Sequence, residues 1–393
     1  MKTTTIGDLP EELVSAILSR LPVKVLVLCK CVCKPWCGLI GRPDFVKQHF
    51  DHENNQQRLL IRIEVPDRAR YRHALYVDES FSEYEEPSHL QIPGRPAADV
   101  SDLIGPLNGV FCVVSMSPWG PMALLNPAMR QFKPLPMVQE IDEENLEFSF
   151  SVLALGLDPS TGDYKVVLIL NFWDSSEEDY HCVVNVCSSE SDSWRVLEDV
   201  DPIVANSHAI SSLCCTYLNG VYYWAVTYHY HTDVAILMAL DMRTDRFRKI
   251  QVTGCDDRGD NYLAWCGDSL ALLKCYECGA IDIWIMQNEE CWIKSSRVSP
   301  LEGIRSLFCF WRNNQLLLET MSSFLALYDL STQEVRTFEA CILEEDYYAC
   351  SYFIYKESLV SIKGEAGKCK LWDTSSDFIQ NFFEIPPDIL MNL

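Results

Sequence analysis

The chain has 393 residues, 48% of them hydrophobic, and a formal net charge of -24. This composition excludes a mostly disordered chain, because the apolar side chains suffice for a packed core. It also argues against nucleic-acid binding, because phosphates repel an acidic protein. Residues 1–50 carry 7 basic and 4 acidic side chains, whereas residues 76–201 carry 5 and 23. We therefore expect the N-terminal segment to be a unit distinct from the rest.

The first fifty residues predict three short helices. Leu13, Ile17 and Leu21 recur every four residues and form one apolar helix face. Pro22 ends this helix and suits the first position of the next one. Three short helices bury little surface alone, so we expect the domain at residues 1–50 to dock onto a partner or onto the rest of the chain.

The domain at residues 51–393 repeats a turn and strand pattern six times. The turns are Asn108-Gly109, Gly162-Asp163, Asn219-Gly220, Gly267-Asp268, Asn313-Asn314 and Glu357-Ser358. A later strand in each unit ends in Asn126, Asn185, Asp241, Asp282, Asp329 or Asp373. The mean period of about 49 residues is typical of a four-stranded propeller blade of kelch-like length. We predict an all-β domain, a six-bladed kelch-like β-propeller, in which residues 58–65 and 73–77 are extra strand candidates that complete the ring.

The N-terminal domain resembles a plant F-box. The resemblance lies in Leu9-Pro10-Glu11-Glu12-Leu13, in Ile17 to Lys24 and in Lys30 to Trp36. It implies a three-helix module that binds the Skp-type adaptor of a cullin–RING ubiquitin ligase. The adaptor contacts that it implies are Leu9, Pro10, Ile17, Leu18, Leu21, Pro22, Val23 and Leu26.

The repeats are similar to the F-box-associated interaction region of plant F-box proteins. The phrases that carry this similarity include Leu125-Asn126-Pro127, Leu157-Asp158-Pro159 and Asp163 to Val167. Ser299 to Ile304 and Phe310-Trp311 also resemble the S-locus F-box group. That resemblance implies a pollen protein that recognises the S-RNases of the pistil in self-incompatibility. An F-box receptor for an unrelated plant client protein is the alternative within the same class.

No common catalytic motif is present, so we expect a non-catalytic receptor subunit without a cofactor or a bound metal. The thiols of Cys29, Cys31, Cys33 and Cys37 are close enough in sequence to bind zinc, but packing of small apolar side chains on a helix explains them better. Cys275 and Cys278 form a single C-x-x-C without a second pair. A propeller enzyme with a helical cap remains the alternative from another functional class.

Acidic residues concentrate in two connections that a propeller places on one face. They are Asp142, Glu143, Glu144, Glu147, Asp174, Glu177, Glu178 and Asp179. Because carboxylates attract cations, we expect this face to bind a basic client protein. The competing interpretation is recognition by the apolar or aromatic loop residues Phe172, Trp173 and Tyr230.

The 18 cysteines are expected to be free thiols in a reducing compartment. No long apolar run follows Lys2, so the sequence predicts no secretory signal. No stretch approaches the length of a membrane span, which argues against a membrane location. We therefore expect a cytoplasmic protein and leave the nucleus open as a second location.

Overall fold

Over residues 9–52, all of which the structure describes, the N-terminal region forms four helices, one more than predicted. The structure, a computed structural model, describes residues 9–65, 70–76, 81, 84–85, 100–115, 119–141, 146–191, 193–198, 200, 204, 215–226, 234–255, 259–312, 314–341, 348–362 and 370–371. The helices are α1 (Glu11–Leu18), α2 (Val23–Cys29), α3 (Lys34–Ile40) and α4 (Pro43–Asp51). From the sequence alone, Pro43 is expected to interrupt helical structure. A proline at the first helical position instead begins α4, because its missing N–H would have no partner there.

The strands form six antiparallel sheets, which are the blades of the predicted propeller. Blade 1 contains β1 (Arg58–Val65), β2 (Arg70–Tyr76), β3 (Tyr84–Glu85) and the late strand β24 (Tyr348–Tyr355). Blade 2 contains β4 (Val100–Leu107), β5 (Val110–Ser115), β6 (Met122–Asn126) and β7 (Gln131–Pro134), with β25 (Lys370–Leu371) at its outer edge. Blade 3 contains β8 (Leu146–Leu157), β9 (Tyr164–Asp174), β10 (Asp179–Ser188) and β11 (Arg195–Val196).

The other three blades follow the same order from the innermost to the outermost strand. Blade 4 contains β12 (Cys215–Leu218), β13 (Val221–Val226), β14 (Ala235–Asp241) and β15 (Arg246–Val252). Blade 5 contains β16 (Asp260–Cys266), β17 (Ser269–Cys275), β18 (Ile281–Asn288) and β19 (Cys291–Val298). Blade 6 contains β20 (Ile304–Arg312), β21 (Gln315–Thr320), β22 (Phe324–Asp329) and β23 (Glu334–Cys341). The core lies between blades, so the middle strands are buried on both faces; β9, for example, is buried along most of its length.

Strands from both ends of the propeller domain close the ring. β24 pairs antiparallel with β1, and Tyr355 lies opposite Arg58. Residues 58–65 complete the ring, as the sequence predicted. The prediction that a strand follows Glu357-Ser358 is wrong, because residues 356–362 form no regular strand. This difference arises because β1 already occupies the second position of blade 1.

Turn chemistry explains why the repeats are visible in the sequence. Asn108-Gly109 and Asn219-Gly220 each join the first two strands of a blade with positive φ at both residues. Asn-Gly favours this hairpin turn because both residues tolerate positive φ. The carboxylate of Asp329 likewise accepts N–H groups of the next turn. Asn185 and Asp282 do not end their strands as predicted, because Asn185 lies within β10 and Asp282 lies within β18. Asp373 lies outside the described residues.

The helical domain packs on the propeller face that carries the turns after the first and third strands. Met129, in the β6–β7 turn, and Leu359 share one apolar cluster with helix residues that include Leu18 and Phe45. Lys356 Nζ donates to the Phe50 carbonyl at 2.8 Å. Residues 356–362, which we call the bridging segment, therefore lie between the helical domain and blade 2.

Hydrogen bonds hold the bridging segment from both sides. Asn55 Nδ2 donates to the Glu357 carbonyl at 2.8 Å, and Arg58 pairs with the Glu357 carboxylate at 2.7 Å. From blade 2, Asn126 Nδ2 donates to the carbonyls of Ser358 at 3.1 Å and Val360 at 2.7 Å. The Arg58 and Asn126 contacts fix the bridging segment on blades 1 and 2, and the Asn55 bond ties the end of the helical domain to it.

Gly109 tests the packing of the bridging segment. A Cβ at Gly109 would lie 2.5 Å from Ser358 Cβ and 2.9 Å from the Lys356 carbonyl oxygen, and its φ is +77°. Gly162 has a similar φ of +76° but nothing within 4 Å of its added Cβ. We expect Gly162→Ala to lower the free energy of unfolding by about 1 kcal/mol, from backbone strain alone. Gly109→Ala should lower it by at least about 2 kcal/mol more, from the collision. Equal losses in urea unfolding would contradict this tight packing.

Candidate adaptor-binding and client-binding sites

The eight predicted adaptor contacts separate into exposed and buried groups. Ile17 is 54% exposed, and Pro10 and Pro22 are also exposed, whereas Leu9 and Leu21 are half-buried. The side chains that pack inside the helical core are Leu18, Val23 and Leu26. A partner cannot reach these three side chains in this structure. They affect the surface of the domain only indirectly, by packing beneath it.

Other exposed apolar side chains of the helical domain were not among the predicted contacts. They are Leu13 at 52%, Val25 at 38%, Leu28 at 39% and Val32 at 66%. With Ile17 they form a set that we call the exposed apolar set of the helices. Large apolar side chains in such number on one small domain are typical of an interaction site. Apart from Val32, which follows α2, their signal in the sequence is the second apolar stripe of α1 and α2, which lies beside the stripe that is buried.

The acidic connections lie on the face opposite the helical domain. The turn between β9 and β10 spans residues 174–179 and joins the second and third strands of blade 3. Such turns lie at the blade end away from the β6–β7 turn, against which the helices pack. Glu147, Glu177, Glu178 and Asp179 are exposed there, and Asp174 is half-buried. We call this surface the acidic face; Asp142, Glu143, Glu144 and Tyr230 lie outside the described residues.

Strand register brings the two acidic connections of blade 3 together. Leu146 lies opposite Asp174, and Glu147 lies opposite Trp173. The start of β8 follows the connection from β7. It therefore lies beside the turn between β9 and β10. Among the described residues, the predicted carboxylates of both connections are thus on the same blade, as the propeller topology required.

The predicted aromatic residues of this face have different environments. Phe172 is only 1% exposed, so the expectation that it contacts a client is wrong. Its ring packs between blades, 6.2 Å from the Trp119 ring and 6.1 Å from the Phe148 ring. Trp173 is half-buried, and its ring lies edge-on to Tyr180 at 5.0 Å. Phe148 is 43% exposed, although it was not predicted as a contact.

Hydrogen bonds fix the orientation and the charge of Asp174. Its Oδ1 accepts bonds from the Ser176 hydroxyl at 2.6 Å, the Ser176 N–H at 2.7 Å and the Glu177 N–H at 3.3 Å. The bonds from Ser176 hold the pKa of Asp174 below its ordinary value. This carboxylate is therefore ionised at neutral pH and contributes to the negative potential of the face.

His181 lies beside two carboxylates of the same hairpin. Its Nε2 is 3.2 Å from Glu177 Oε2 and 3.8 Å from Asp174 Oδ2. Within the described ranges, these three residues are the one group whose ligand atoms approach closely enough to hold a metal ion. The side chains of Glu177 and His181 are 66% and 46% exposed, and the contact between the imidazole and the carboxylate across the turn accounts for their arrangement.

The cysteine motifs form no comparable group in the described part of the chain. Cys31, Cys33 and Cys37 are exposed, and Cys29 is half-buried. In the C-x-x-C motif, burial raises the pKa of Cys275 to about 12, whereas Cys278 is exposed. A reactive thiol has a lowered pKa, so Cys275 has the properties of a packing residue.

Comparison with known proteins identifies both domains. Residues 58–353 match the family model of the F-box associated beta propeller domain, and residues 6–52 match an F-box-like model. The Arabidopsis thaliana F-box protein CPR1 is 24% identical over 400 residues, covering 93% of this chain and 92% of its own. The Arabidopsis thaliana F-box protein At4g19940 is 26% identical over 366 residues, covering 85% and 86%.

A solved bacterial structure has a distant likeness. It is a putative 6-phosphogluconolactonase from Bacteroides fragilis, 8% identical, covering 77% of this chain and 98% of its own with a TM-score of 0.36. That score is too low to support an argument about function. None of the helices in the ranges given above is both long and apolar enough to cross a bilayer. On the match over most of its length, the chain belongs to the F-box proteins with an F-box-associated β-propeller domain.

Proposed function

We propose that this protein is the substrate receptor of a cullin–RING ubiquitin ligase and that its acidic face recruits a basic client protein. One observation carries the proposal: the exposed apolar set of the helices and the acidic face belong to opposite sides of one molecule. F-box domains bind a Skp-type adaptor, so the helices would attach to the ligase while the propeller presents the client. Catalysis would then reside in the ubiquitin-conjugating enzyme, and this chain would supply proximity.

The proposed client is an S-RNase. The support is the resemblance of Ser299 to Ile304 and of Phe310-Trp311 to the S-locus F-box group, together with the fit between a basic ribonuclease and the acidic face. A strongly negative surface accelerates the encounter with a basic protein. The attraction is long-range and does not depend on close packing, so it should weaken as salt screens it.

The experiment neutralises the acidic face without changing its shape. We expect Glu177→Gln combined with Glu178→Gln to slow association with a purified S-RNase several-fold and to make the rate less salt-dependent. The melting temperature should stay the same, because exposed charges contribute little to stability. Association rates measured by surface plasmon resonance between 50 and 300 mM salt would show this.

A matched control removes two carboxylates elsewhere. Glu290 and Glu334 are exposed at the propeller face that also holds the helices. Changing both to glutamine alters the net charge by the same amount but should leave the association rate nearly unchanged. Equal rates and salt slopes for the two double variants would reject the acidic face as the steering surface.

A further inference from the structure

We infer that blade 3 contains a binding site for an arginine side chain of the client, formed by Glu147, Trp173 and Tyr180 and backed by Asn171. This inference rests on the proposed function, because it assumes that clients bind the acidic face. It goes further by naming the side chain that is recognised and the residues that recognise it. We call Glu147, Trp173 and Tyr180 the blade 3 row.

Strand pairing aligns the blade 3 row across three strands. Glu147 of β8 lies directly opposite Trp173 of β9, which lies directly opposite Tyr180 of β10. Residues directly opposite in an antiparallel sheet project from the same face, with Cβ atoms about 5 Å apart. Glu147 is exposed and forms no ion pair with any other described residue. A carboxylate therefore lies beside a half-buried indole on a strongly negative surface.

The side chain of Asn171 independently indicates that a hydrogen-bonding partner is missing on this face of the sheet. It is fully buried, yet its Oδ1 and its Nδ2 both lack a hydrogen-bond partner. It precedes Trp173 by two residues in β9, so both side chains project from the same face, about 7 Å apart along the strand. Buried amides are nearly always paired, because an unpaired one loses its hydration without compensation. Because the amide has no exposed surface, a donor can reach Oδ1 only if the half-buried Trp173 ring moves aside, and such a donor would supply the missing bond.

Arginine is the side chain that fits these groups best. Its planar guanidinium stacks on an indole ring and is attracted by the negative ring face. It has five N–H donors in a rigid fork, enough to bond to the Glu147 carboxylate at the surface and the Asn171 oxygen below. Lysine carries one compact, strongly hydrated ammonium, which can pair with Glu147 but gives up more hydration on entering an apolar site.

The test compares two basic peptides on the full-length protein. The probes are fluorescent decapeptides in which four arginines or four lysines alternate with serine and glycine, and binding is measured by anisotropy at 150 mM salt. We expect the arginine peptide to bind about tenfold more tightly, as planar bidentate pairing predicts. Glu147→Gln and Asn171→Leu should each reduce this preference to about twofold or less, because each removes one acceptor of the guanidinium.

Trp173→Leu should have the same effect, and a second tryptophan provides its control. Trp265 is 50% exposed on β16 of blade 5, so Trp265→Leu removes an exposed indole without touching blade 3. It should leave the arginine preference unchanged. Melting temperatures of all variants would show whether a loss of binding comes from unfolding; Glu147→Gln, at an exposed position, is the variant least able to disturb the fold.

The outcomes separate this inference from the proposed function. Equal affinities for the two peptides, both weakened by the Glu177 and Glu178 changes, would overturn the arginine site and leave the acidic face intact. Binding of an S-RNase without binding of either peptide would also overturn it. If the preference persisted in the Trp173 and Asn171 variants, the arginine would have to be recognised elsewhere, and the blade 3 row would be excluded.

Discussion

Replacing Leu13 and Ile17 by serine is expected to weaken binding to a Skp-type adaptor by about a hundredfold, because two exposed apolar side chains would lose roughly 3 kcal/mol of burial at the interface. The melting temperature should barely change, because both side chains are more than half exposed in the free protein. Isothermal titration calorimetry with a purified adaptor would measure the change in Kd.

A control for the serine variants is available on the propeller. Val196 and Val335 are 54% and 42% exposed on outer strands of blades 3 and 6. Serine at both positions removes a similar apolar area from the propeller and leaves the helices unchanged, so the Kd for the adaptor should not change. In contrast, Leu18→Ala should act on stability, lowering the free energy of unfolding by about 2–5 kcal/mol, as cavities in cores do. Unchanged affinity of the Leu13 and Ile17 variant would mean that the adaptor uses another surface.

Truncation after residue 341 is expected to abolish the soluble monomer. It removes β24, which leaves the β1 edge of blade 1 without its partner, and it removes the bridging segment below the helices. An open ring exposes unpaired strand edges, and such edges promote aggregation. Size-exclusion chromatography and thermal unfolding of the fragment would detect this.

The control for this truncation ends the chain after residue 371. That variant keeps every strand that the structure describes, including β24 and β25. Its elution volume and unfolding temperature are the reference for the fragment of residues 1–341, because the two differ by β24, the bridging segment and β25 among the described residues. A monomeric, cooperatively unfolding fragment of residues 1–341 would show that closure by β24 is dispensable.

The positions of the hairpin turns in the propeller could be predicted from the sequence, because they depend on local chemistry. Asn-Gly turns have positive φ at two successive residues, and few other pairs tolerate that. The shared face of the acidic connections was predictable for a different reason. The antiparallel order of the strands in each blade is enough to determine which connections lie on the same face of the propeller.

The errors have physical causes in packing. In α1, Leu13 and Ile17 form one apolar stripe, and Val14 and Leu18 form another; an eight-residue helix gives periodicity too little length to show which stripe is buried. Phe172 belongs to a middle strand that packs between two blades, so the run from Val166 to Leu170 that precedes it is apolar on both faces. Nothing in the local sequence distinguishes a buried ring there from an exposed one.

The unpaired amide of Asn171 was also beyond sequence analysis. In a sequence, asparagine usually indicates a turn or an exposed position. Burial of its amide without a hydrogen-bond partner depends on how two blades pack against each other. The role of Glu147 depends on register in the same way, because only the pairing of β8 with β9 places it opposite Trp173.

The closure of blade 1 by β24 imposes an order of events on synthesis. β1 ends at Val65 and its partner β24 begins at Tyr348, so roughly 280 residues must be translated between them. At typical elongation rates this takes roughly 15 to 60 seconds. During that time β1 has an unpaired edge and the helices lack Leu359 in their core. We therefore expect a nascent chain of this protein to need protection of its first blade until β24 leaves the ribosome, with the demand for chaperones highest just before β24 emerges.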